Sequence, residues 1–180
     1  MGRVIDKLIH QEVLFTKEEC DYLINEHSSF RRSIAKMKNN LLYNSSRRTS
    51  YQSTIPWSEK ATDIILSKIK KFGIKSLPSE GARLLRYEKG QYFKKHHDSG
   101  DPYKHRILSL VIQLSDNYTG GELVFYPPKE NEIIADKKIG NIISFKPKLW
   151  HEAKPVTEGV RYSIIIWFRL ENLEIENSLI

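Results

Sequence analysis

From Gly81 onward the sequence alternates short β-rich runs with turn residues, and no helical pattern interrupts them. Gly120-Gly121 and Pro127-Pro128 mark two of the turns. The predicted strands are Arg83 to Phe93, Arg106 to Leu114, Glu122 to Tyr126, Asn141 to Phe145 and Arg161 to Arg169. Many short strands without interleaved helices are typical of an antiparallel sandwich or roll. We therefore predict a mainly β structure for this part of the chain.

The first third of the sequence is predicted to be helical instead. Thr16 and Glu19 have the spacing of a capping box, and the helix that they start should run to about Glu26. A second helix should begin near Ser58 and end at Gly73. Its apolar stripe consists of Ala61, Ile65, Ile69 and Phe72. We expect these N-terminal helices to pack on one sheet, which gives an α+β class with flanking helices.

Length and composition fit one domain over residues 1–180, with 39% hydrophobic and 28% charged residues. The single cysteine, Cys20, excludes an internal disulfide and should be a core residue rather than a nucleophile. No apolar run approaches the roughly 20 residues of a membrane helix. The N-terminus has no apolar core of a signal peptide. We expect a cytoplasmic protein that does not enter a membrane.

The net charge of +7 comes from lysines and arginines scattered along the chain. Such a surface can favour nucleic acid, an acidic protein or an anionic small molecule. No signature of a nucleic-acid module is present, so we expect a solvated basic surface. One polar, basic segment runs from Asn44 to Tyr51 and contains Arg47 and Arg48. It fits either a solvated loop or a mobile loop beside a functional site.

Two histidines and a carboxylate have the pattern of a metal site. His96 and Asp98 stand at alternate positions, which share a face of a strand, whereas His97 points away. His151 follows a distant predicted strand. Taken singly, each residue is better explained as a solvated polar side chain. Together they leave three positions of an octahedral iron open, which suits oxygen activation, and Arg161 could then hold the far carboxylate of a 2-oxo acid on that iron.

These segments resemble the Fe(II)/2-oxoglutarate-dependent dioxygenases, and within them the prolyl 4-hydroxylase-like group. The resemblance covers the chain from roughly Phe15 to Arg169. It is carried by Arg86 to Asp98, by Arg106 to Asp116, by Gly120 to Leu123, and by His151 through Trp167. It implies a double-stranded β-helix, or jelly roll, as the fold.

The resemblance also implies roles for individual residues. His96, Asp98 and His151 would bind Fe(II), and 2-oxoglutarate would chelate the same ion. Arg161 matches the basic residue that pairs with the distal carboxylate of 2-oxoglutarate. Tyr87 matches a tyrosine that reaches that carboxylate, and Ser163 an assisting hydroxyl.

The implied reaction is hydroxylation of a peptide or protein residue by O2, with proline the leading candidate and ascorbate as the reductant. Trp167 would line the pocket or serve as a plain core tryptophan. Arg106 matches a position that holds the peptide, or is a surface charge at a strand edge, and Arg47 and Arg48 are expected along the same groove. Collagen-type members often carry lysine where this chain has Arg161, which leaves the prolyl substrate open.

Other functions remain in competition with this one. An enzyme of the same superfamily could act on a free amino acid or on nucleic acid, and the positive charge slightly favours the latter. A cupin-like jelly roll could bind a metal without oxygen chemistry, but it would not need Arg161 at its spacing. A purely structural protein leaves the ordered set of ligands unexplained.

Overall fold

Two helices and fifteen strands form the part of the chain that the computed structural model describes, residues 7–169 without 28, 34, 38–39, 43–45, 54–55 and 76–77. In chain order they are β1 (Ile9–Val13), α1 (Lys17–Asn25), β2 (Arg31–Arg32), β3 (Ala35–Met37), β4 (Asn40–Leu42), β5 (Tyr51–Gln52), α2 (Glu59–Lys71), β6 (Ser79–Tyr87), β7 (Phe93–His96), β8 (Arg106–Gln113), β9 (Thr119–Gly120), β10 (Leu123–Tyr126), β11 (Ile133–Ile134), β12 (Asn141–Phe145), β13 (Trp150–Ala153), β14 (Val156–Glu158) and β15 (Arg161–Arg169). The mainly β composition with two N-terminal helices agrees with the sequence prediction.

Most strands belong to two antiparallel sheets. The larger sheet has seven strands in the order β1-β12-β8-β15-β6-β5-β2, and the smaller has four in the order β11-β10-β13-β7. Two further pairs join β14 to β9 and β3 to β4. All of these pairings are antiparallel, as expected from the absence of helices between the strands.

The larger sheet is buried on both faces. Along β15, Ile164 and Ile166 pack into one apolar cluster with helix residues such as Ile65. The alternate residues Ile165 and Trp167 pack into a second cluster with residues of the smaller sheet. Because successive side chains of a strand point to opposite faces, one strand serves both clusters. The helices therefore cover one face of the larger sheet, and the smaller sheet covers the other.

Both helices begin where the sequence predicts. The Thr16 hydroxyl accepts the Glu19 amide N–H, and the Glu19 carboxylate accepts the Thr16 amide N–H. Ser58 caps α2 by accepting the Ala61 amide N–H. Cys20 is fully buried in the helix-side cluster, and burial raises the pKa of its thiol to about 12, which confirms it as a core residue. Neither helix is long and apolar enough to cross a bilayer, within the described ranges.

Two predictions of secondary structure were wrong. The single strand predicted from Arg83 to Phe93 is two strands, β6 in the larger sheet and β7 in the smaller one. The turn between them uses Gly90 at a φ of +79°, where L-residues are disfavoured. The predicted helical N-terminal third also contains strands, among them β1, which pairs with β12 although its own sequence is largely polar. An edge strand needs only a partner's backbone, so its pattern is weak.

Candidate metal centre

His96, Asp98 and His151 come together between the two sheets. One nitrogen or oxygen from each lies within 4.8 Å of the others. The Nε2 atoms of His96 and His151 are 3.6 and 3.7 Å from Oδ1 and Oδ2 of Asp98. Among the residues described, this is the only group of three such side chains. The spacing allows all three to hold one ion.

The strands fix two of these ligands and hydrogen bonds fix the third. His96 ends β7 and stands opposite His151 on β13. Asp98 lies beyond the end of β7, where its amide N–H donates to the Pro147 carbonyl at 2.8 Å. The Ser109 hydroxyl donates to Oδ2 of Asp98 at 2.7 Å. The carboxylate is thus oriented from two different parts of the chain.

The tautomer of each histidine is set by a backbone carbonyl. Nδ1 of His96 is 2.8 Å from the Lys94 carbonyl oxygen, and Nδ1 of His151 is 2.8 Å from that of Leu149. A carbonyl only accepts, so each Nδ1 carries the proton and each Nε2 presents a lone pair to the site. Two neutral imidazoles and one carboxylate are a donor set that suits Fe(II). The residues present therefore fit this metal.

Electrostatics favour the protonation states that a metal requires. Burial, followed by the neighbouring His151, lowers the pKa of His96, so its ring stays neutral. Burial acts to raise the pKa of Asp98, but His151, His96 and the Ser109 hydroxyl outweigh it and lower that pKa overall. Asp98 is consequently held as a carboxylate.

A pocket leads from these side chains to a buried arginine. Arg161 is 3% exposed and stands opposite Tyr87 in the register of β15 and β6, with its guanidinium carbon 5.2 Å from the Tyr87 ring. Its Nη2 donates to Gln113 at 3.2 Å, while its buried Nε has no partner among the described residues. Ser163 and Trp167 also line this pocket. Arg161 is thus a buried cation with an unused hydrogen-bond donor, and a bound anion would stabilise it.

A second, wider cleft reaches two of these three side chains, His96 and Asp98, from solvent. It is lined by arginine and aromatic residues, among them Arg47, Arg48, Arg83, Arg106, Tyr103, Trp150 and Trp167. His97 lies in this cleft, edge-on to Trp150 with ring centroids 4.7 Å apart. His97 is therefore separate from the ligand group, as the alternation of strand residues predicts.

Arg106 lines the cleft, but its guanidinium is already engaged. Nε and Nη2 donate to the Glu80 carboxylate at 2.7 and 2.6 Å, and Nη1 donates to the Asp98 carbonyl at 3.2 Å. Its guanidinium carbon also lies 3.8 Å from the Tyr103 ring centroid and 4.0 Å from that of Trp167. This geometry favours positioning of Asp98 over the substrate contact expected from the sequence.

The basic segment around Arg48 is attached to β7. Arg48 forms a β-bridge with Phe93, the Thr49 amide N–H donates to the Tyr92 carbonyl, and the Lys94 amide N–H donates to the Arg47 carbonyl. One isolated bridge and two backbone hydrogen bonds thus hold the segment against the edge of the smaller sheet, and Arg47 and Arg48 line the cleft beside His96 and Asp98. Residues 44 and 45 of the segment lie outside the described residues.

Sequence reasoning missed Ser109 and Gln113. Both are buried on β8, where they alternate with Leu108, Leu110 and Ile112, which belong to the helix-side cluster. Two polar residues at alternate positions of an otherwise apolar strand were the available signal, because such residues share one face. That face borders the pocket.

Comparison with known proteins gives consistent matches. Residues 82–169 match the model of the 2OG-Fe(II) oxygenase superfamily. Prolyl 4-hydroxylase 1 of Arabidopsis thaliana is 30% identical in an alignment 142 positions long, which covers 72% of this chain and 50% of that protein. The chain thus spans about half the length of this curated relative.

Two solved structures are similar over nearly the whole chain. A prolyl-4-hydroxylase from Pseudomonas putida has a TM-score of 0.75 at 19% identity, covering 94% of this chain and 98% of its own. A viral collagen prolyl hydroxylase from Paramecium Bursaria Chlorella virus-1, solved as a 2OG complex, has a TM-score of 0.64 at 26% identity. The latter match covers 93% of this chain and 99% of the viral one.

Proposed function

We propose that this chain is an Fe(II)- and 2-oxoglutarate-dependent dioxygenase that hydroxylates a peptidyl residue, with proline the leading candidate. The match of residues 82–169 to the 2OG-Fe(II) oxygenase superfamily supports the reaction class. One observation carries the proposal. The group of His96, Asp98 and His151 opens onto a pocket that contains the buried, incompletely partnered Arg161. The names of the relatives, a prolyl 4-hydroxylase and a collagen prolyl hydroxylase, support the choice of substrate.

His96, Asp98 and His151 would hold Fe(II), and all three line the pocket that contains Arg161. The bound metal and 2-oxoglutarate supply the oxidising chemistry, in which O2 gives one oxygen atom to a C–H bond and one to succinate, with release of CO2. Ser109 would keep Asp98 oriented toward the ion, and Arg106 would hold the Asp98 backbone. The protein thus provides orientation and charge, not the oxidant.

Arg161 would bind the distal carboxylate of 2-oxoglutarate. Its planar guanidinium can donate two parallel hydrogen bonds to a carboxylate, and the pocket gives that anion a buried, positively charged end. Tyr87 and Ser163 line the same pocket and would assist. A carboxylate there would also supply a partner for the Arg161 Nε, which has none among the described residues.

Aromatic rings form part of the walls of the site. Phe93 stacks on the His96 ring with centroids 3.5 Å apart, and Trp167 lines both the inner pocket and the outer cleft. These rings would limit the access of water to the reacting atoms and restrict the rotation of His96. The outer cleft would then receive the peptide.

The fold type, domain extent, reductant and location expected from the sequence are part of the same proposal. The two facing sheets and their antiparallel order support a double-stranded β-helix. We further propose a single catalytic domain over residues 1–180, ascorbate as the reductant that maintains Fe(II), and a cytoplasmic location.

A substrate screen tests the function. The protein is incubated with Fe(II), 2-oxoglutarate and ascorbate together with proline-containing peptides, free amino acids or oligonucleotides, and succinate and substrate mass are measured. We expect a peptide to gain one oxygen atom with matching succinate, and no gain with His151→Ala. Metal binding without any 2-oxoglutarate consumption would indicate a cupin-like protein instead. Oxygen gain on free proline or an oligonucleotide alone would reject the peptide substrate.

A further inference from the structure

The outer cleft contains more arginine side chains than its acidic residues neutralise. Arg47, Arg48, Arg83 and Arg106 all line it. Arg106 forms an ion pair with Glu80, whereas the other three arginines form no ion pair within the described part of the chain. Asp101, also in the lining, is paired with Lys104. The cleft therefore presents three guanidinium groups without an acidic partner.

Of these residues, Arg83 gives the strongest indication of a bound anion. It is half-buried, and its guanidinium carbon lies 5.0 Å from the centroid of the Trp167 ring. Its guanidinium makes no hydrogen bond to any residue that the structure describes. Burial lowers the pKa of Arg83, Glu80 opposes that shift, and Arg106 adds to it. A cation that loses hydration without gaining an acceptor is unfavourable unless an anion arrives.

Glu80 cannot supply that anion. Both of its oxygens accept hydrogen bonds from Arg106, and Nε2 of His105 lies 3.0 Å from Oε1. Arg48 is 7% exposed, and its one side-chain hydrogen bond within the described residues goes to Ser50. The uncompensated charge thus lies beside the metal ligands, because His96 and Asp98 line the same cleft.

We propose that the substrate is an acidic peptide, in which an aspartate or glutamate close in sequence to the hydroxylated residue pairs with Arg83 and Arg47. This inference rests on the proposed function and specifies its substrate class. Guanidinium groups bind carboxylates through paired hydrogen bonds, and complementary charge steers association. A peptide is favoured over nucleic acid because the named relatives act on prolyl residues.

Matched peptides test the inference. Three peptides share one proline and differ only at the flanking positions, which carry Asp, Asn or Lys. We expect kcat/KM to be about tenfold higher for the Asp peptide than for the Asn peptide, lowest for the Lys peptide, and the Asp preference to shrink as salt rises. Arg83→Gln and Arg47→Gln should each reduce that preference. Lys89→Gln, an exposed residue outside the cleft, is the control and should keep it.

The outcomes separate the two proposals. Equal turnover of all three peptides would overturn the acidic substrate and leave the hydroxylase standing. Consumption of 2-oxoglutarate with no oxygen gain in any peptide would overturn both, as would oxygen gain only in an oligonucleotide. If Arg83→Gln fails to fold, the salt dependence of the Asp preference in the unmodified protein decides, and a salt-independent preference rejects the ion pair.

Discussion

His96 and His151 stand directly opposite each other on adjacent antiparallel strands, with ring centroids 4.3 Å apart. The register of this single strand pair therefore sets the distance between two ligands. A slip by one residue would turn one histidine to the other face of the sheet. The third ligand, Asp98, is tied to Pro147 and Ser109 instead, so the site depends on both strand pairing and loop hydrogen bonds.

Removal of any one ligand should abolish metal-dependent activity. His96→Ala, Asp98→Ala and His151→Ala each leave two ligands, so Fe(II) binding measured by equilibrium dialysis and 2-oxoglutarate turnover should both be lost. His97→Ala should retain metal binding, because His97 packs against Trp150 outside the ligand group. Full turnover in His151→Ala would remove that residue from the centre.

The Ser109 hydroxyl should tune metal affinity through Asp98. Ser109→Ala removes the 2.7 Å hydrogen bond to Oδ2 and should weaken Fe(II) binding by about 10- to 100-fold. Ser144→Ala is the matched control, because Ser144 is equally buried on a neighbouring strand and its hydroxyl has no partner among the described residues. Equal affinities in the two variants would show that the hydrogen bond does not orient the ligand.

Arg161 should govern the requirement for 2-oxoglutarate. A charge-assisted hydrogen bond is worth about 1.5–3 kcal/mol, so Arg161→Ala should raise the KM for 2-oxoglutarate by about tenfold or more. Arg161→Lys should have a smaller effect, since it keeps the charge and loses the planar fork. Steady-state kinetics with varied 2-oxoglutarate measure both, and an unchanged KM in Arg161→Ala would exclude the contact.

Glu80 should make stability depend on pH in the acid range. Burial acts to raise its pKa, but the hydrogen bonds and charges of Arg106 and His105 lower it below the ordinary value of 4.5. A depressed carboxyl pKa stabilises the fold above the unfolded-state pKa, and this contribution is lost as pH falls through the folded-state value. Denaturant unfolding between about pH 6 and pH 3 should therefore show a steeper loss in the unmodified protein than in Glu80→Gln. Parallel curves would assign the acid sensitivity to other groups.

Local signals in the sequence were sufficient for much of the fold. The capping residues Thr16 and Ser58 each act on an amide three positions away, so adjacent sequence determines where the helices start. The pairing of His96 with Asp98, and the exclusion of His97, follow from the alternation of strand side chains. Arg161 was selected from its position ten residues after His151, and the two residues line the same pocket although they lie on strands of different sheets.

Features that depend on contacts between residues far apart in the chain could not be predicted from the sequence. Arg106 was predicted to contact the peptide or to be a surface charge, but its guanidinium is held by Glu80, which lies on a different strand of the larger sheet. The break between β6 and β7 was missed although Glu88, Lys89, Gly90 and Gln91 interrupt the β-forming residues, and Gly90 adopts the positive φ of a turn. Arg83 has no ion pair within the described residues because Arg106 and His105 occupy the Glu80 carboxylate, and this sharing depends on two separate segments of the chain.

Residues Arg47 to Thr49 occupy the edge of β7 that faces away from β13, and their backbone groups bond to Tyr92 and Lys94. Within the described residues, the first half of β7 is therefore already paired on that side. A foreign strand could add to Phe93 and Lys94 by β-augmentation only if this segment first detached. The covered part of the edge is also protected against edge-to-edge aggregation, and selectivity for a visiting polypeptide would then rest on side chains in the cleft.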